Sequence, residues 1–429
     1  MNTMHTIPQK RLDECYDLAV VGGGLAGVMT AVAAAREGKR VILLEKYGCL
    51  GGMATAGLVY PFMRHSEKPS GRPANKGLYF RLLKEIYEIG GSDGEESRHY
   101  KEEFMKIVLD RMTRKAGVKV LFHAKLCEVE REGRSIQSIT VATVSGKLKI
   151  RARVFADTTG NADLCAFAGL PFEQGREEDG LCQPMTLCFR VGNADVEKFF
   201  KSHKRLNEEY AKAQATGEIT NPRHNVLVFK TPIKNVLHFN TTRVVKKNPT
   251  NAFDVTEAEI IARRQVYEIY DFMKKHADGL ENSFLMMTAA EIGVRESRMI
   301  VGDYVLTEED CRNCVKFEDA IAACNYDIDI HNPEGTGTSH YYFPAGAYYT
   351  IPYRSLIPKQ AENMLVAGRC ISSDHGAQAS YRIMPVVCCL GEAAGSAIGL
   401  ATKSNCSTRE INVEDLQNVL IKNGAYIGV

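Results

Sequence analysis

The sequence predicts an α/β chain, in which a Rossmann-like nucleotide-binding domain carries an inserted α+β domain. Three observations predict this. Residues 16–45, YDLAVVGGGLAGVMTAVAAAREGKRVILLE, read as strand, glycine turn, helix, second strand and a closing acid. Text of the same kind returns near the other end, where the apolar run Met364 to Ala367 meets Gly368 and a small-residue helix follows from about Pro385 to Ala401. Between them the texture changes, with strand-like runs at 184–191 and 235–245 and amphipathic helical patterns at 195–215 and 256–276. The nucleotide domain is therefore expected to be discontinuous, formed by 1–174 and 351–429, with 175–350 as an inserted substrate or cap domain.

In the first segment, Leu18 to Val21 is an apolar run short enough for a buried parallel strand. Gly22, Gly24 and Gly27 stand in G-x-G-x-x-G spacing. The first makes the tight turn, the second lets the backbone approach a pyrophosphate, and the third lets helix and strand pack closely. The helix N-terminus then offers unpaired N–H groups to the phosphates. Glu45 ends the second strand, Val41 to Leu44, at the position where an acid bonds a ribose hydroxyl. An acid there disfavours a 2′-phosphate and so disfavours NADP.

With 429 residues, 45% hydrophobic and 25% charged, the chain is long enough for two domains and ordinary for a globular protein. A net charge of +2 gives no reason to expect nucleic acid or a membrane surface as partner. The 13 cysteines are odd in number and scattered, so they read as reduced, mostly buried side chains. Leu18 to Ala35 is uncharged and could pass for a signal peptide or a membrane span. Asp13, Glu14 and Asp17 precede it where a signal needs positive charge, and four glycines weaken it as a spanning helix. The apolar run near the C-terminus is interrupted by Glu392. A cytoplasmic protein with no membrane segment is expected.

The remaining elements follow in order. Gly51, Gly52 and Gly57 make a close-approach loop, and residues 64–76 are polar enough for a surface loop or lid. Helical patterns run from Leu78 to Ile89 and from Glu102 to Ala116, the second stopping at Gly117. Val118 to Phe122 is a third strand, Lys125 to Val144 alternates as a hairpin turning near 131–134, and Lys147 to Phe155 leads into ADTTGNADL.

The segments GGGLAG with Glu45, CLGGMAT, FADTTGNADL, GVRESRMIVGDYVLT, DIDIH, YTIPYRSLIP and AGRCISSDHGAQASYRIMPVVCCLGEAAGSA resemble the FAD-dependent oxidoreductase family. That family shares its nucleotide domain with fumarate reductase flavoproteins and glutathione reductase, and the resemblance covers nearly the whole chain. It implies FAD as cofactor and a glutathione-reductase-type domain, a ββα sandwich. It also implies roles for residues. Gly22, Gly24 and Gly27 would hold the pyrophosphate and Glu45 the adenosine ribose. Gly51, Gly52 and Thr55 would line the flavin, and the Leu126 backbone would fix the adenine. Asp157, Gly160 and Asp163 would close the adenosine side, and Gly368 would approach the pyrophosphate or ribityl chain. Arg369 stands where such flavoproteins often carry an acid, which removes the usual ribityl contact. No second nucleotide fingerprint occurs between residues 150 and 350, so an intrinsic NAD(P)H domain is not expected.

A flavin reaction needs a C–H placed over N5 and a proton partner beside it, and an organic acid substrate needs an arginine. His375 and Arg382, in the loop before the last long helix, are the first candidates. The alternative is that they only fix that loop. Arg295 in GVRESRMIVG is the next. As a strand, this segment would aim Arg295 and Ser297 one way and leave Glu296 and Arg298 to pair on the other face. A salt-bridged link between domains is the plainer alternative. His331 and His340 flank a glycine-rich loop, and Tyr348, Tyr349 and Arg354 are expected near the domain junction. Cys311 and Cys314 form an isolated CxxC, so no metal site is expected. Cys49 lies near the flavin loop, and Cys388 and Cys389 read as packing.

The expected activity is hydride transfer between flavin N5 and a small molecule, an organic acid being one candidate, with an arginine as anchor and His375 as proton partner. The rival is an electron-transfer flavoprotein subunit working with a redox partner protein. An RNA-modifying flavoprotein would want a basic face, and a nucleotide sensor would need no chemistry.

Overall fold

The computed structural model describes residues 15–64, 66 and 74–428. Most of the stretch read as a lid, and the acids Asp13 and Glu14, lie outside them. Strand β1 (Cys15–Val21), helix α1 (Leu25–Arg36) and strand β2 (Val41–Leu44) form where the apolar runs and glycine turn require. After a 3-10 turn at Gly52–Ala54 come α2 (Leu78–Glu88) and α3 (Glu102–Lys115). Next are β3 (Lys119–Leu121), β4 (Lys125–Glu132), β5 (Ser135–Thr143) and β6 (Gly146–Asp157). The first half of β6 closes an antiparallel meander with β5 and β4, and its second half runs parallel to β1. The short α4 (Asp163–Phe167) and β7 (Phe172–Gln174) complete this segment.

A four-stranded antiparallel sheet follows, built from β8 (Phe189–Gly192), β9 (Val228–Lys230), β10 (Leu237–Phe239) and β11 (Phe284–Thr288) in the order β11-β8-β10-β9. It packs with α5 (Val196–Thr216) and α6 (Ala252–His276) around Leu206, Tyr210, Ile269 and a stacked Phe189–Phe239 pair. The apolar stripes of both helices supply this core, and Asp195 and Asn251 cap their N-termini. Two strands are shorter than the sequence suggests. Residues 184–188 and 240–245 make isolated bridges, such as Met185 to Val244 and Thr186 to Gly293, and several of their side chains turn to the cavity described below.

The last third alternates short elements. These are β12 (Arg298–Ile300), α7 (Glu308–Arg312), β13 (Ala320–Cys324), β14 (Ile328–His331), β15 (Thr338–Tyr341), β16 (Tyr349–Pro352) and β17 (Met364–Val366). Helices α8 (His375–Tyr381), α9 (Met384–Ser404) and α10 (Val413–Lys422) finish the chain. Strand β17 joins the first sheet beside β6, which gives the parallel order β3-β2-β1-β6-β17. The chain is thus mixed α/β with a parallel sheet, a Rossmann-like nucleotide fold. Its register aligns Val21 with Leu44 and with Asp157, and Asp157 with Val366. Gly22, Glu45, Thr158 and Ala367 therefore emerge in one row at the carboxyl edge of the sheet, with Gly368 one residue beyond, where ligands of open α/β sheets bind.

Helix α9 is the central core helix. By length and composition alone its 21 residues could cross a membrane, but 94% of its apolar window is buried inside the fold. A Cβ on Gly391 would meet Ala26 O at 2.3 Å, and one on Gly395 would meet Thr30 O at 2.2 Å, so α1 and α9 lie backbone to backbone. Glu392 does not interrupt this helix as the sequence suggests. It is buried within it, and its carboxylate accepts the Leu78 N–H at the start of α2.

Candidate active site

A cavity of about 1180 Å³ runs along the carboxyl edge of the parallel sheet and on between the first sheet and the second. Its nucleotide side is walled by Gly22, Gly24, Glu45, Leu126, Gly160 and Gly368. Gly22 has φ +105°, and a Cβ there would sit 2.6 Å from Thr158 O, so only glycine makes this turn. Gly24 caps α1 with no side-chain bond, and a Cβ added to it would meet nothing within 4 Å. The space beside Gly24 is open and faces the free N–H groups of α1. Helix α9 points a second N-terminus at the cavity through Ile383 and Met384, and no side chain caps it either.

Glu45 lines the cavity 4% exposed, with one carboxylate oxygen accepting Gly23 N–H and the other accepting Tyr47 N–H. Burial pushes its pKa up to about 7, although the Gly23 bond opposes this. Gly51, Gly52 and Asp163 also reach the wall. Gly27, Thr55 and Asp157 do not line it, and each instead shapes a neighbour that does. A Cβ on Gly27 would lie 1.9 Å from Gly22 O, so this glycine permits the turn to pack on α1. Thr55 donates to Leu50 O and braces the Gly51 turn. Asp157 is fully buried and accepts from Thr159 N, Thr159 Oγ1 and Cys165 N, which fixes the loop from Thr158 to Gly160.

Arg369 crosses over Gly160 and donates to Asn161 Oδ1 at 2.8 Å, while its Nε is buried without a partner. It brings positive charge to the wall where an acid is more usual. A dinucleotide fits these features: an open glycine at a helix N-terminus, a buried acid at the end of the second strand, and a buried guanidinium N–H without a partner among the described residues.

The other end of the cavity is rich in arginine. Arg295 donates to Pro184 O, Thr186 Oγ1 and Asn240 Oδ1, all neutral acceptors. Burial, then Arg382, Arg223 and Arg243, bring its pKa down to about 9. Arg382 donates to Asp329 O at 3.2 Å and Gln183 Oε1 at 3.4 Å, and its Nε is buried without a partner. Arg223, 6% exposed, donates from Nε to Asn225 Oδ1, and its Nη1 is likewise buried and unpartnered. Behind them Arg243 donates to Gly335 O, Gly337 O and His331 Nδ1.

One carboxylate faces this group. Asp329 Oδ2 lies 3.5 Å from His331 Nε2 and 3.9 Å from Arg382 Nη2, and Oδ1 lies 3.6 Å from His340 Nε2. Burial raises its pKa, but the His331 contact and the Arg382 and His340 charges outweigh that and hold it well below the usual carboxylate range. Burial, then Arg295, lower the pKa of His331 far enough to keep it neutral. Because Arg243 donates to its Nδ1, its proton sits on Nε2 and points at Asp329. His340 is the accessible member of this group, with its ring stacked on Tyr342.

Of the sequence candidates, Arg295 and Arg382 come together at the cavity and His375 does not. The expected loop around His375 folds into α8, capped by Asp374, and this turns the imidazole away. Its Nδ1 donates to Glu296 Oε1 at 2.7 Å, and Glu296 Oε2 accepts the Gln183 N–H. Glu296, fully buried, thus pairs with His375, and Arg298 pairs with Asp163. The expected Glu296–Arg298 pair is absent because only Arg298–Ile300 is strand, so the alternation assumed over 295–298 does not hold. Tyr349 donates to Ser380, Tyr348 to Gly428 O, and Arg354 bonds Asp319; none lines the cavity. Cys49 does not line it, Cys311 is buried in α7, and all the cysteines of the described residues are free. Arg223, Tyr326 and Asp329 carried no role in the sequence, although Asp329 lies within DIDIH.

Among solved structures, the fold is similar to p-nitrophenol 4-monooxygenase from Pseudomonas putida DLL-E4, at 14% identity and TM-score 0.47 over 95% of this chain and 84% of that one. It is similar to a geranylgeranyl bacteriochlorophyll reductase-like protein from Thermoplasma acidophilum, at 13% identity and TM-score 0.44 over 96% and 84%. It is also similar to the myxobacterial chondrochloren halogenase, at 15% identity and TM-score 0.44 over 96% and 79%. Likeness at this level carries nothing about substrate. No curated protein sequence matches the chain significantly. A family model described as FAD dependent oxidoreductase matches residues 17–420. With this match over most of its length, this chain belongs to the FAD dependent oxidoreductase family.

Proposed function

We propose that this enzyme moves a hydride between FAD and a small organic acid, with Arg295 and Arg382 holding the acid. One observation carries the proposal: three guanidinium groups, those of Arg223, Arg295 and Arg382, wall one end of the cavity, where Asp329 is the carboxylate beside them among the described residues. When bound, FAD supplies at N5 a two-electron acceptor or donor. Gly22, Gly24 and the N-terminus of α1 would hold its pyrophosphate, with Arg369 adding charge, and Glu45 would take the ribose hydroxyls. The N-terminus of α9 would lie against the negatively polarised edge of the flavin ring.

Arg295 is fixed in place by three neutral acceptors, so its charge is free to orient a carboxylate. His331 is held neutral as a donor to Asp329 and does not exchange protons itself. His340 takes the proton that accompanies the hydride. Asp329 Oδ1 lies 3.6 Å from its Nε2 and places carboxylate charge beside the ring. His340 replaces His375 in this role because it lines the cavity and His375 does not.

The proposal includes a glutathione-reductase-type cofactor domain of 1–174 and 351–429, capped by 175–350. The second core, formed by Met185 to Ile292 with Leu58, supports the division, while Leu306 and Ile321 pack into the cofactor-side core. The test is anaerobic. The purified flavoprotein is mixed with hydroxy acids and amino acids, and the reduced form with enoates, while flavin absorbance is followed. Bleaching or recolouring by at least one small acid is expected. If none reacts while a protein electron carrier does, the chain is an electron-transfer subunit instead.

A further inference from the structure

We propose that the ligand of this cavity carries at least two negative charges, and that Arg223 holds the second acid group. This rests on the reading that Arg295 and Arg382 hold the first. The inference starts from charge balance. Arg223, Arg243 and Arg382 lie close enough to Arg295 to add to the effect of burial in lowering its pKa, Arg223 acts likewise on Arg243, and among the described residues Asp329 is the carboxylate beside them, 3.9 Å from Arg382. His331 is neutral there, and Glu296 is spoken for by His375 and Gln183. Buried charge without a counter-charge is expensive, and the unbound cavity holds an excess of it. A monocarboxylate, clamped by Arg295 and Arg382, would leave most of that excess in place.

The unused donors point the same way. Arg223 Nη1 and Arg382 Nε are buried with no hydrogen-bond partner, on two arginines that both line the cavity. Buried guanidinium N–H groups are nearly always bonded. Arg223 spends only its Nε, on Asn225, so an external acceptor at Nη1 is what its position lacks. Leu227 and Phe229 line the same cavity and suit an apolar spacer between two acid groups. A dicarboxylate and a phosphonate- or phosphate-bearing acid share this chemistry.

The test titrates the oxidised flavoprotein and reads perturbation of the flavin absorption bands, which needs no turnover. Dicarboxylates from malonate to adipate are compared with their monoamides, and 3-phosphonopropionate with propionate. At least one dianion is expected to bind about tenfold or more tightly than its monoanionic partner. Whichever dianion binds more tightly, dicarboxylate or phosphonate, assigns the second group. Arg223→Gln is expected to bring the dianion close to the affinity of the monoanion, weakening the dianion at least about tenfold and the monoanion much less. Equal binding of dianion and monoanion by the unaltered protein overturns the proposal, whether or not the variant folds. So does a variant that weakens both equally. Dianion selectivity without bleaching by any acid would leave this inference standing and remove hydride transfer. Bleaching by a monoacid without dianion selectivity would do the reverse.

Discussion

His340 and His375 separate two ways of placing a proton partner. His375 follows from loop position in the sequence, and His340 from the wall of the cavity. His340→Gln is expected to slow flavin reduction by a small acid by about 10²- to 10³-fold, the usual contribution of a general base. His375→Gln, which removes a bond to Glu296, is expected to cost less than about tenfold, with the flavin spectrum unchanged. Stopped-flow reduction of both variants decides this, and the reverse ranking would restore His375. At this scale the sequence discloses residues whose backbone role forces their identity. Gly22, Gly24 and Glu45 are visible because a tight turn, an open helix start and an acid closing the second strand stand at fixed spacing. Arg223 and Asp329 are invisible because they are far apart in sequence and only tertiary packing brings them to one cavity. His375 was read in a loop, and that segment folds as helix α8, which takes its side chain off the cavity wall.

Among elements, the packing of α9 against α1 and α2 governs the core, and Glu392 is its unusual member. Burial pushes its pKa up to about 7 from an ordinary 4.5, against the Leu78 N–H bond and Arg36. A raised folded value means that ionisation opposes folding. Stability is therefore greatest below the unfolded value, falls as pH rises between about 4.5 and about 7, and is flat above. The span corresponds to about 3 kcal/mol, an order of magnitude only. Glu392→Gln should remove this slope. Urea unfolding at pH 5 and pH 8 should show the variant gaining on the parent at the higher pH by about 2–3 kcal/mol. A gap that does not change with pH would mean that Arg36 already compensates the ionised acid. The long helices were legible from their period, and α5 and α6 formed within a few residues of expectation. The short strands of the middle region were not, because β8 and β10 give up their ends to the cavity wall.

For the whole molecule, the cavity draws its wall from residues between Val21 and Val387, so the cofactor would bridge distant parts of the chain. Binding only the folded state, FAD at a hundred times its Kd is expected to add about 2.7 kcal/mol of stability. Calorimetry of the apoprotein and the FAD-loaded protein should show this as a rise in Tm. It should also show one transition in the loaded form, because Leu58 of the first segment packs into the second core and Leu306 and Ile321 pack into the first. A loaded protein that melts in two independent steps would mean that the 185–292 core stands apart from the cofactor. The parallel sheet was readable because both ends of the chain carry nucleotide-fold text, and β17 from the far end pairs with β6 of the first segment.

The arginine-rich end of the cavity also has a kinetic meaning. The chain as a whole is nearly neutral, with a net charge of +2, so at long range it neither attracts nor repels a small acid. The guanidinium groups and the two helix N-termini gather their positive potential inside a low-dielectric cleft instead. An anion would feel this field only at the mouth, within about one Debye length, roughly 8 Å at physiological salt. Capture would then be a short-range focusing of molecules already at the surface, set by the local concentration of acid and only weakly by the charge of the protein.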